Sequence, residues 1–200
     1  MAVHLLPKSH PDPSTWTSLF AKQKALRLHS LLTSPESFSS TYERESAFAD
    51  ADWEARLRNA SASTFVATNR TAKHAAAPGV LDAEALLEGE WVGSAVLVGP
   101  ASTNDEDERS TATFEIYGLF VLPDARGTGL GSALLEAAAD YGRVLAAKQG
   151  CERVVVRISV APGNERALKL YERVGFVEKE AGAEEDMELG VRVLSKELVV

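Results

Sequence analysis

Residues 115–135 read EIYGLFVLPDARGTGLGSALL. This order of residue types predicts an apolar strand, a Pro-Asp turn, a glycine-rich loop and the first turns of an amphipathic helix. The first N–H groups of a helix have no intrahelical partner, and the helix dipole adds partial positive charge there, so a nearby anion is stabilised. The segment is therefore predicted to bind a phosphate group.

The loop contains three glycines, Gly127, Gly129 and Gly131. Because glycine lacks a Cβ, these positions let the backbone adopt unusual φ angles and let a bulky pyrophosphate approach closely. The neighbouring side chains expected to assist are one cation and two hydroxyls: Arg126, Thr128 and Ser132. The loop is predicted to be a pyrophosphate site.

Two other kinds of glycine-rich loop fit less well. The nucleoside-triphosphatase loop ends in Gly-Lys-Ser/Thr, and this loop has no lysine. The dinucleotide fingerprint needs glycine where the chain has Ser132, and an acidic residue at the end of the next strand. That strand ends at Val160, which is not acidic, and Glu152 lies before the strand instead of at its end. The loop therefore does not match the dinucleotide fingerprint.

The chain resembles the GNAT family of N-acetyltransferases in two linked places. Arg126 to Gly131, RGTGLG, is similar to the family's Arg/Gln-x-x-Gly-x-Gly/Ala element, which holds the pyrophosphate of acetyl coenzyme A. Asn164 to Phe176, NERALKLYERVGF, looks like the family's Asn-x-x-Ala-x-x-Leu-Tyr-x-x-x-Gly-Phe helix and turn. With the strand before each motif, the resemblance covers residues 112–179 in the family's order and spacing.

The resemblance implies an α/β (α+β) fold. Its central sheet is mixed and mostly antiparallel, with about six or seven strands flanked by helices, and it has a V-shaped split between the two central parallel strands. We expect a single acetyltransferase domain over residues 1–200. An N-terminal strand and acceptor-side helices are expected in residues 1–63, and the acetyl coenzyme A core in residues 112–179.

Periodicity and breaker residues predict the individual elements. The expected strands are residues 2–6, 64–68, 91–98, 111–121, 154–160, 176–179 and 187–194. The expected helices are Trp16 to Leu32, residues 35–47, a helix from Asp50 to Leu57 that Asp50 caps, and a helix whose apolar stripe runs from Leu130 through Val144 to Leu145. Residues 69–88 are expected to form a loop with one helical turn, and Asp105 to Glu108 a solvated hairpin loop. The near-continuous apolar runs in strands 111–121 and 154–160 predict burial on both faces.

The cofactor site follows from the resemblance. In the family the pantetheine arm lies in the V-shaped gap and hydrogen-bonds to exposed strand backbone. Asn164 caps its helix by propensity, and in the family this asparagine also bonds to the cofactor. The expected cofactor-binding residues are Leu119, Phe120, Val121, Arg126, Gly127, Thr128, Gly129, Leu130, Gly131, Ser132 and Asn164.

Acetyl transfer from a thioester to an amine needs an unprotonated amine, a polarised carbonyl and a proton for the departing thiolate. By resemblance, Tyr171 is the acid, because a phenol stays protonated near neutral pH. The alternative is a half-buried packing residue in the apolar stripe of its helix. Glu115 is the candidate base, similar in position to the glutamate of histone-type members. One alternative is that Glu115 lies near the solvated start of the strand, and another is that it pairs with Arg157. A third is that water relays the proton and no single base exists.

Composition limits the partners. The 200 residues are 45% hydrophobic with a net charge of −8, and the dispersed Lys and Arg residues argue against nucleic acid. No apolar run approaches the roughly 20 residues that span a membrane. The four histidines lack metal-ligand spacing, and Cys151 is the one cysteine, which fits a reducing compartment. We expect a cytoplasmic protein without a metal; a nuclear location and the oligomeric state stay open.

The expected function is acetyl transfer from acetyl coenzyme A to a primary amine of a small molecule, peptide or protein. Transfer is expected to be direct, within a ternary complex. The alternative is a non-catalytic acyl-coenzyme A binding or regulatory protein that keeps the loop. Retention of Tyr171 and Asn164 favours the enzyme.

Overall fold

The computed structural model describes residues 2–69, 83–100, 110–179 and 191–200. The strands in these ranges are β1 (Ala2–Leu5), β2 (Ala62–Thr68), β3 (Trp91–Val98), β4 (Thr111–Val121), β5 (Arg153–Val160), β6 (Val177–Lys179) and β7 (Arg192–Val199). The helices are α1 (Pro13–Thr33), α2 (Tyr42–Ser46), α3 (Asp50–Arg58), α4 (Ala83–Glu88), α5 (Leu130–Lys148) and α6 (Glu165–Arg173). Short 3₁₀ turns lie at Pro35–Ser37 and Pro123–Ala125.

The seven strands described form one sheet in the order β1-β2-β3-β4-β5-β7-β6. Strands β4 and β5 are parallel, and their paired register runs from Thr111 opposite Arg153 to Ile116 opposite Ile158. The pairs β1–β2, β5–β7 and β6–β7 are antiparallel. The expected fold class is therefore confirmed: a mixed, mostly antiparallel sheet flanked by helices.

The chain divides into two compact units. The first comprises residues 1–96 and 118–134. Its core is an apolar cluster of Leu6, Trp16, Leu19, Leu26, Leu57, Val66, Leu86, Trp91 and Phe120. Helix α1 begins where the Asp12 carboxylate accepts the Thr15 N–H at 2.8 Å, and it ends just before Pro35, whose ring cannot continue a helix.

The second unit comprises residues 97–117 and 135–200. Its buried side chains include Phe114, Val154, Val156 and Leu194, each fully enclosed. Gly142 of α5 lies against Phe114, whose ring would be 3.5 Å from a Cβ at that position. A small residue there lets the helix approach the sheet.

Several predicted boundaries needed correction. Residues 35–47 contain a 3₁₀ turn and the short α2 instead of one helix. Asp50 does not cap α3, because Ala49 is the N-cap and its N–H donates to the Asp52 carboxylate at 3.1 Å. The sixth strand begins at Val177, and the last strand extends to Val199 because it pairs with β5 over its whole length.

The predicted burial of β4 and β5 on both faces was wrong. From Thr111 to Tyr117 the side chains of β4 alternate, and Tyr117 is 52% exposed. In β5, Arg157 and Ser159 are exposed between buried neighbours.

The apolar stripe of α5 also differs from the prediction, since Val144 is exposed while Leu135 and Ala139 are buried. The predicted loop over residues 69–88, the hairpin at residues 105–108 and the expected strand start at residue 187 lie largely outside the described residues.

Candidate functional site

The glycine-rich loop is open to its surroundings. Gly127 and Gly129 have φ angles of +80° and +87°, a region that side-chain-bearing residues rarely adopt. A Cβ at either position would meet no atom within 4 Å. The 3₁₀ turn at Pro123–Ala125 precedes them and sets the chain reversal. The loop therefore has room on its outer side for a bulky group.

Helix α5 begins directly after this loop. Its first intrahelical bond runs from the Ala133 N–H to the Gly129 carbonyl at 3.0 Å. Gly129 has no side chain to cap the helix, and among the described residues no acceptor serves the N–H groups of Leu130, Gly131 or Ser132. Unsatisfied N–H groups at a helix N-terminus form an anion site. Gly131 lies inside the helix, so the unusual φ expected for it is absent.

Arg126 is anchored within the loop. Its Nε donates to the Val121 carbonyl at 2.9 Å and its Nη2 donates to the Ser34 hydroxyl at 3.0 Å, while its guanidinium lies 5.8 Å from the centre of the Phe120 ring. The Thr128 hydroxyl donates inward, to the Ala125 carbonyl at 2.7 Å. Both side chains therefore stabilise the turn. The sequence analysis had not predicted this role for them.

The end of β4 leads into the loop. Gly118 has a φ of +61°, two residues beyond the last β4 residue paired with β5. Leu119 and Val121 are half-buried, and Phe120 is buried in the apolar core. The Val121 carbonyl accepts the Arg126 bond, and the predicted cofactor contact of the Val121 backbone stays a prediction.

A buried ionic cluster lies beside Gly118. The Glu45 carboxylate is fully buried and accepts bonds from Arg27 Nη2 at 2.7 Å, Arg27 Nε at 3.0 Å and Arg56 Nη1 at 3.0 Å. Burial opposes its ionisation, but hydrogen bonds from Arg27, Ser40 and Arg56 prevail and lower the pKa of Glu45 to about 2. The cluster thus stays charged at neutral pH.

The sequence analysis missed this cluster. The sequence does contain a signal for this cluster, a stripe of polar residues along α1 and its C-cap. Its members follow one another at steps of four, three and four: Gln23, Arg27, Ser30 and Ser34. Gln23, Ser30 and Ser34 are buried. A helical period of polar residues beside the apolar stripe indicates a second buried face.

Tyr171, in the second unit, is 6% exposed. Its ring lies 6.3 Å from that of Phe176, and burial raises the pKa of Tyr171 to about 12. No side chain or backbone group among the described residues bonds to its hydroxyl.

Asn164 is the N-cap of α6, as predicted. Its side-chain oxygen accepts the Ala167 N–H at 3.1 Å. The turn before it contains Gly163, with a φ of +78°. The capping prediction is confirmed, and the cofactor contact stays a prediction.

Glu115 lies opposite Arg157 in the parallel register. Its carboxylate accepts a hydrogen bond from the Tyr117 hydroxyl, two residues along the same strand. Glu115 is half-buried, while Tyr117 projects outward. Tyr117 is a polar partner that the sequence analysis did not identify, although its two-residue spacing places it on the same face.

The structure thus collects the predicted residues in two groups. Residues 119–132 of the cofactor set lie in the first unit, whereas Glu115, Asn164 and Tyr171 lie in the second. Across the described ranges no cluster of His, Cys, Asp or Glu is arranged to hold a metal ion. The same ranges contain no helix with the length and apolarity needed to cross a membrane.

Residues 29–176 match the sequence model of the Acetyltransferase (GNAT) family. The class that this fold and this site define is the GNAT-type acyltransferase. The chain belongs to the GNAT family of acetyltransferases.

Two curated relatives match shorter stretches. An uncharacterized N-acetyltransferase of Methanocaldococcus jannaschii is 44% identical over 66 residues, 33% of this chain and 26% of that protein. The mycothiol acetyltransferase of Propionibacterium freudenreichii is 40% identical over 80 residues, 40% of this chain and 24% of that protein. The chain therefore aligns with about a quarter of the length of each relative.

Solved structures share the fold at low identity. The GNAT domain of S. lividans PAT has a TM-score of 0.58 and 16% identity over 98% of this chain and 89% of that chain. AAC(6')-Iy, in complex with the bisubstrate analog CoA-S-monomethyl-acetylneamine, has a TM-score of 0.56 and 19% identity over 91% and 94% of the two chains. Arabidopsis thaliana NAA60, in complex with a bisubstrate analogue, has a TM-score of 0.54 and 13% identity over 98% and 99%.

Proposed function

We propose that the protein transfers an acetyl group from acetyl coenzyme A to a primary amine. The observation that carries this proposal is the open loop of Gly127 and Gly129, followed by helix N–H groups without a partner in the described chain. A diphosphate satisfies such donors and is favoured by the helix dipole. Membership of the acetyltransferase family indicates which diphosphate this is.

The residues present fit the pyrophosphate of coenzyme A. The left-handed φ values turn the loop so that the space above Gly127 and Gly129 is unobstructed. The proposed binding residues are the loop and first helical turn, residues 126–132. Arg126 contributes by holding the loop to Val121 and Ser34, and its charge remains beside the anion.

The cofactor arm is proposed to hydrogen-bond to the backbone of residues 119–121. The recorded β4–β5 ladder ends at Ile116, and β4 continues to Val121. Gly118 lies between these points and has a positive φ. Since Arg126 already bonds the Val121 carbonyl, the remaining backbone groups of Leu119 and Val121 are the ones available to a ligand.

Tyr171 is the proposed acid. A thiolate leaving group needs a proton at neutral pH, and a phenol with a pKa of about 12 is protonated throughout that range. Its position in the Asn164 to Phe176 motif supports this role. Asn164 is proposed to contact the cofactor while capping α6.

Glu115 is the proposed base, with Tyr117 orienting its carboxylate. A water relay remains the competing route for the proton, because the carboxylate is half-buried and reachable by solvent. Positioning of the amine and thioester supplies most of the acceleration in either case.

Two measurements test the function. Isothermal titration with coenzyme A is expected to show binding at a single site, and thiol release is expected with acetyl coenzyme A and a panel of amines. Absence of coenzyme A binding would refute the proposal. Tight binding with no thiol release for any acceptor would favour the non-catalytic acyl-coenzyme A binding protein.

A further inference from the structure

Arg27 has a donor that the ionic cluster does not use. Its Nε and Nη2 bond the Glu45 carboxylate, whereas Nη1 is buried without a partner. An arginine fork that serves only one carboxylate leaves N–H groups directed elsewhere, and a buried unpaired charged donor is costly. The guanidinium also lies over the Phe38 ring, 4.7 Å from its centre, so Nη1 is the group of Arg27 that still lacks an acceptor among the described residues.

The position of Nη1 relates it to the proposed site. A Cβ at Gly118 would lie 3.7 Å from Nη1, so the guanidinium approaches the strand where that side chain is missing. Gly118 immediately precedes the backbone proposed to bind the cofactor arm. The pyrophosphate loop follows that backbone, so on the proposed function Gly118 stands at the thioester end of the cofactor arm.

Charge balance selects the ligand group. Arg27 and Arg56 carry two positive charges and Glu45 carries one negative charge, so the cluster has a net charge of +1. One monoanion neutralises it. Gln23, one turn before Arg27 on α1, has a buried side-chain oxygen that also lacks a partner.

We propose that Arg27 is a specificity residue whose Nη1 binds a carboxylate of the acceptor, so that the preferred acceptors are amines bearing a carboxylate, such as amino acids. This inference rests on the proposed acetyl transfer and narrows its acceptor. It disfavours polyamines, because a second ammonium would meet a cluster that is already positive.

The first test needs no variant. Thiol release is measured with acetyl coenzyme A and the standard L-amino acids, each beside its amide and its decarboxylated amine. Loss of a charge-assisted hydrogen bond corresponds to a roughly tenfold to hundredfold lower kcat/KM for the neutral analogues. Equal rates within the matched sets, or turnover of polyamines alone, would overturn the inference. So would the failure of every carboxylate-bearing amine to react or to bind the coenzyme A complex.

A matched pair of variants gives the second test. Arg27→Lys keeps a cation for Glu45 but removes Nη1, and it is expected to lower kcat/KM for carboxylate acceptors to the level of their amides. Arg56→Lys also keeps a Glu45 ion pair and is expected to preserve the carboxylate preference. Equal loss of preference in both variants would show that Arg27 acts only through Glu45, which contradicts the proposal.

Failure of this inference is separable from failure of the proposed function. Coenzyme A binding is measured by titration for the wild type and both variants, and thermal unfolding checks that each is folded. If the protein binds coenzyme A and acetylates amines without preferring those that bear a carboxylate, only the acceptor assignment is overturned. No coenzyme A binding overturns the function itself.

Discussion

The Ser34 hydroxyl accepts a hydrogen bond from Arg126 Nη2 at 3.0 Å, across 92 residues of sequence. Ser34 ends α1, and Arg126 opens the glycine-rich loop. Because Arg126 also bonds the Val121 carbonyl, its guanidinium connects the end of α1, the end of β4 and the loop. The loop conformation therefore depends on Ser34, which lies outside the glycine-rich motif.

Ser34→Ala is expected to weaken coenzyme A binding several-fold, since a lost hydrogen bond of about 1 kcal/mol loosens the loop. Titration calorimetry measures the effect. Ser39→Ala, at an exposed serine of the same segment, serves as the control and should leave the affinity unchanged. Equal affinity for the Ser34 variant would mean that the loop holds its shape without the bond between Arg126 and Ser34.

Gly127→Ala is expected to lower the free energy of unfolding by about 1–2 kcal/mol, because its φ of +80° is unfavourable for a residue with a Cβ. It should also weaken coenzyme A binding at least tenfold, as the added methyl group occupies the open side of the loop. Gly150→Ala is the matched control, with a φ of +75° and equally open space. It should show the same loss of stability with no change in affinity, measured by urea unfolding and calorimetry.

Tyr171→Phe is expected to reduce kcat by about a hundredfold, the usual contribution of a general acid. Stability at neutral pH should change little, because the phenylalanine ring keeps the packing against Phe176. Tyr141→Phe on α5 is the control and should retain kcat. An unchanged kcat for Tyr171→Phe would show that this tyrosine is only a packing residue.

The raised pKa of Tyr171 also predicts a pH dependence. The folded-state value of about 12 lies above the ordinary value of 10, so its contribution to stability is complete below pH 10 and declines as the pH rises to 12. The wild type should therefore lose stability over that range more steeply than Tyr171→Phe. Urea unfolding at pH 9 and pH 11 compares the two proteins.

Glu45→Gln is expected to destabilise the first unit, because it leaves Arg27 and Arg56 without their carboxylate. The pKa of Glu45 is lowered from 4.5 to about 2, which corresponds to about 3 kcal/mol at neutral pH. That contribution is present above pH 4.5 and is lost as the pH falls to 2. The difference between wild type and variant should therefore shrink between pH 7 and pH 2.5. Glu43→Gln, an exposed site on α2, is the control for urea unfolding at both pH values.

Glu115→Gln separates the two proposed routes for the amine proton. If the carboxylate is the base, kcat/KM should fall about a hundredfold, and Tyr117→Phe should reduce it to a smaller extent by releasing the carboxylate. Both variants should keep the wild-type affinity for coenzyme A. Unchanged kcat/KM for Glu115→Gln would assign the proton to a water relay.

The local elements were accessible from sequence because short-range signals specify them. Pro35 ends α1, Asn164 caps α6, and the glycines before Leu130 mark the loop and the helix that follows. The same residues pointed to the family and to the sheet with its parallel pair, both of which are confirmed. The predicted boundaries were wrong where strand pairing sets them. The length of β7 is set by β5, which lies more than thirty residues earlier in the sequence.

Tertiary structure alone decided which polar groups are paired. Nothing in the sequence near Arg126 indicates Ser34, and nothing near Arg27 indicates Glu45, because hydrogen bonds between distant segments depend on how the chain packs. The φ angles that keep Gly127 and Gly129 open, and the exposure of Tyr117 and Val144, also depend on neighbours supplied by other elements. The sequence by itself determined the local conformations and the glycine-rich loop through backbone sterics and helix-end chemistry, whereas long-range packing decided which donors have no partner among the described residues.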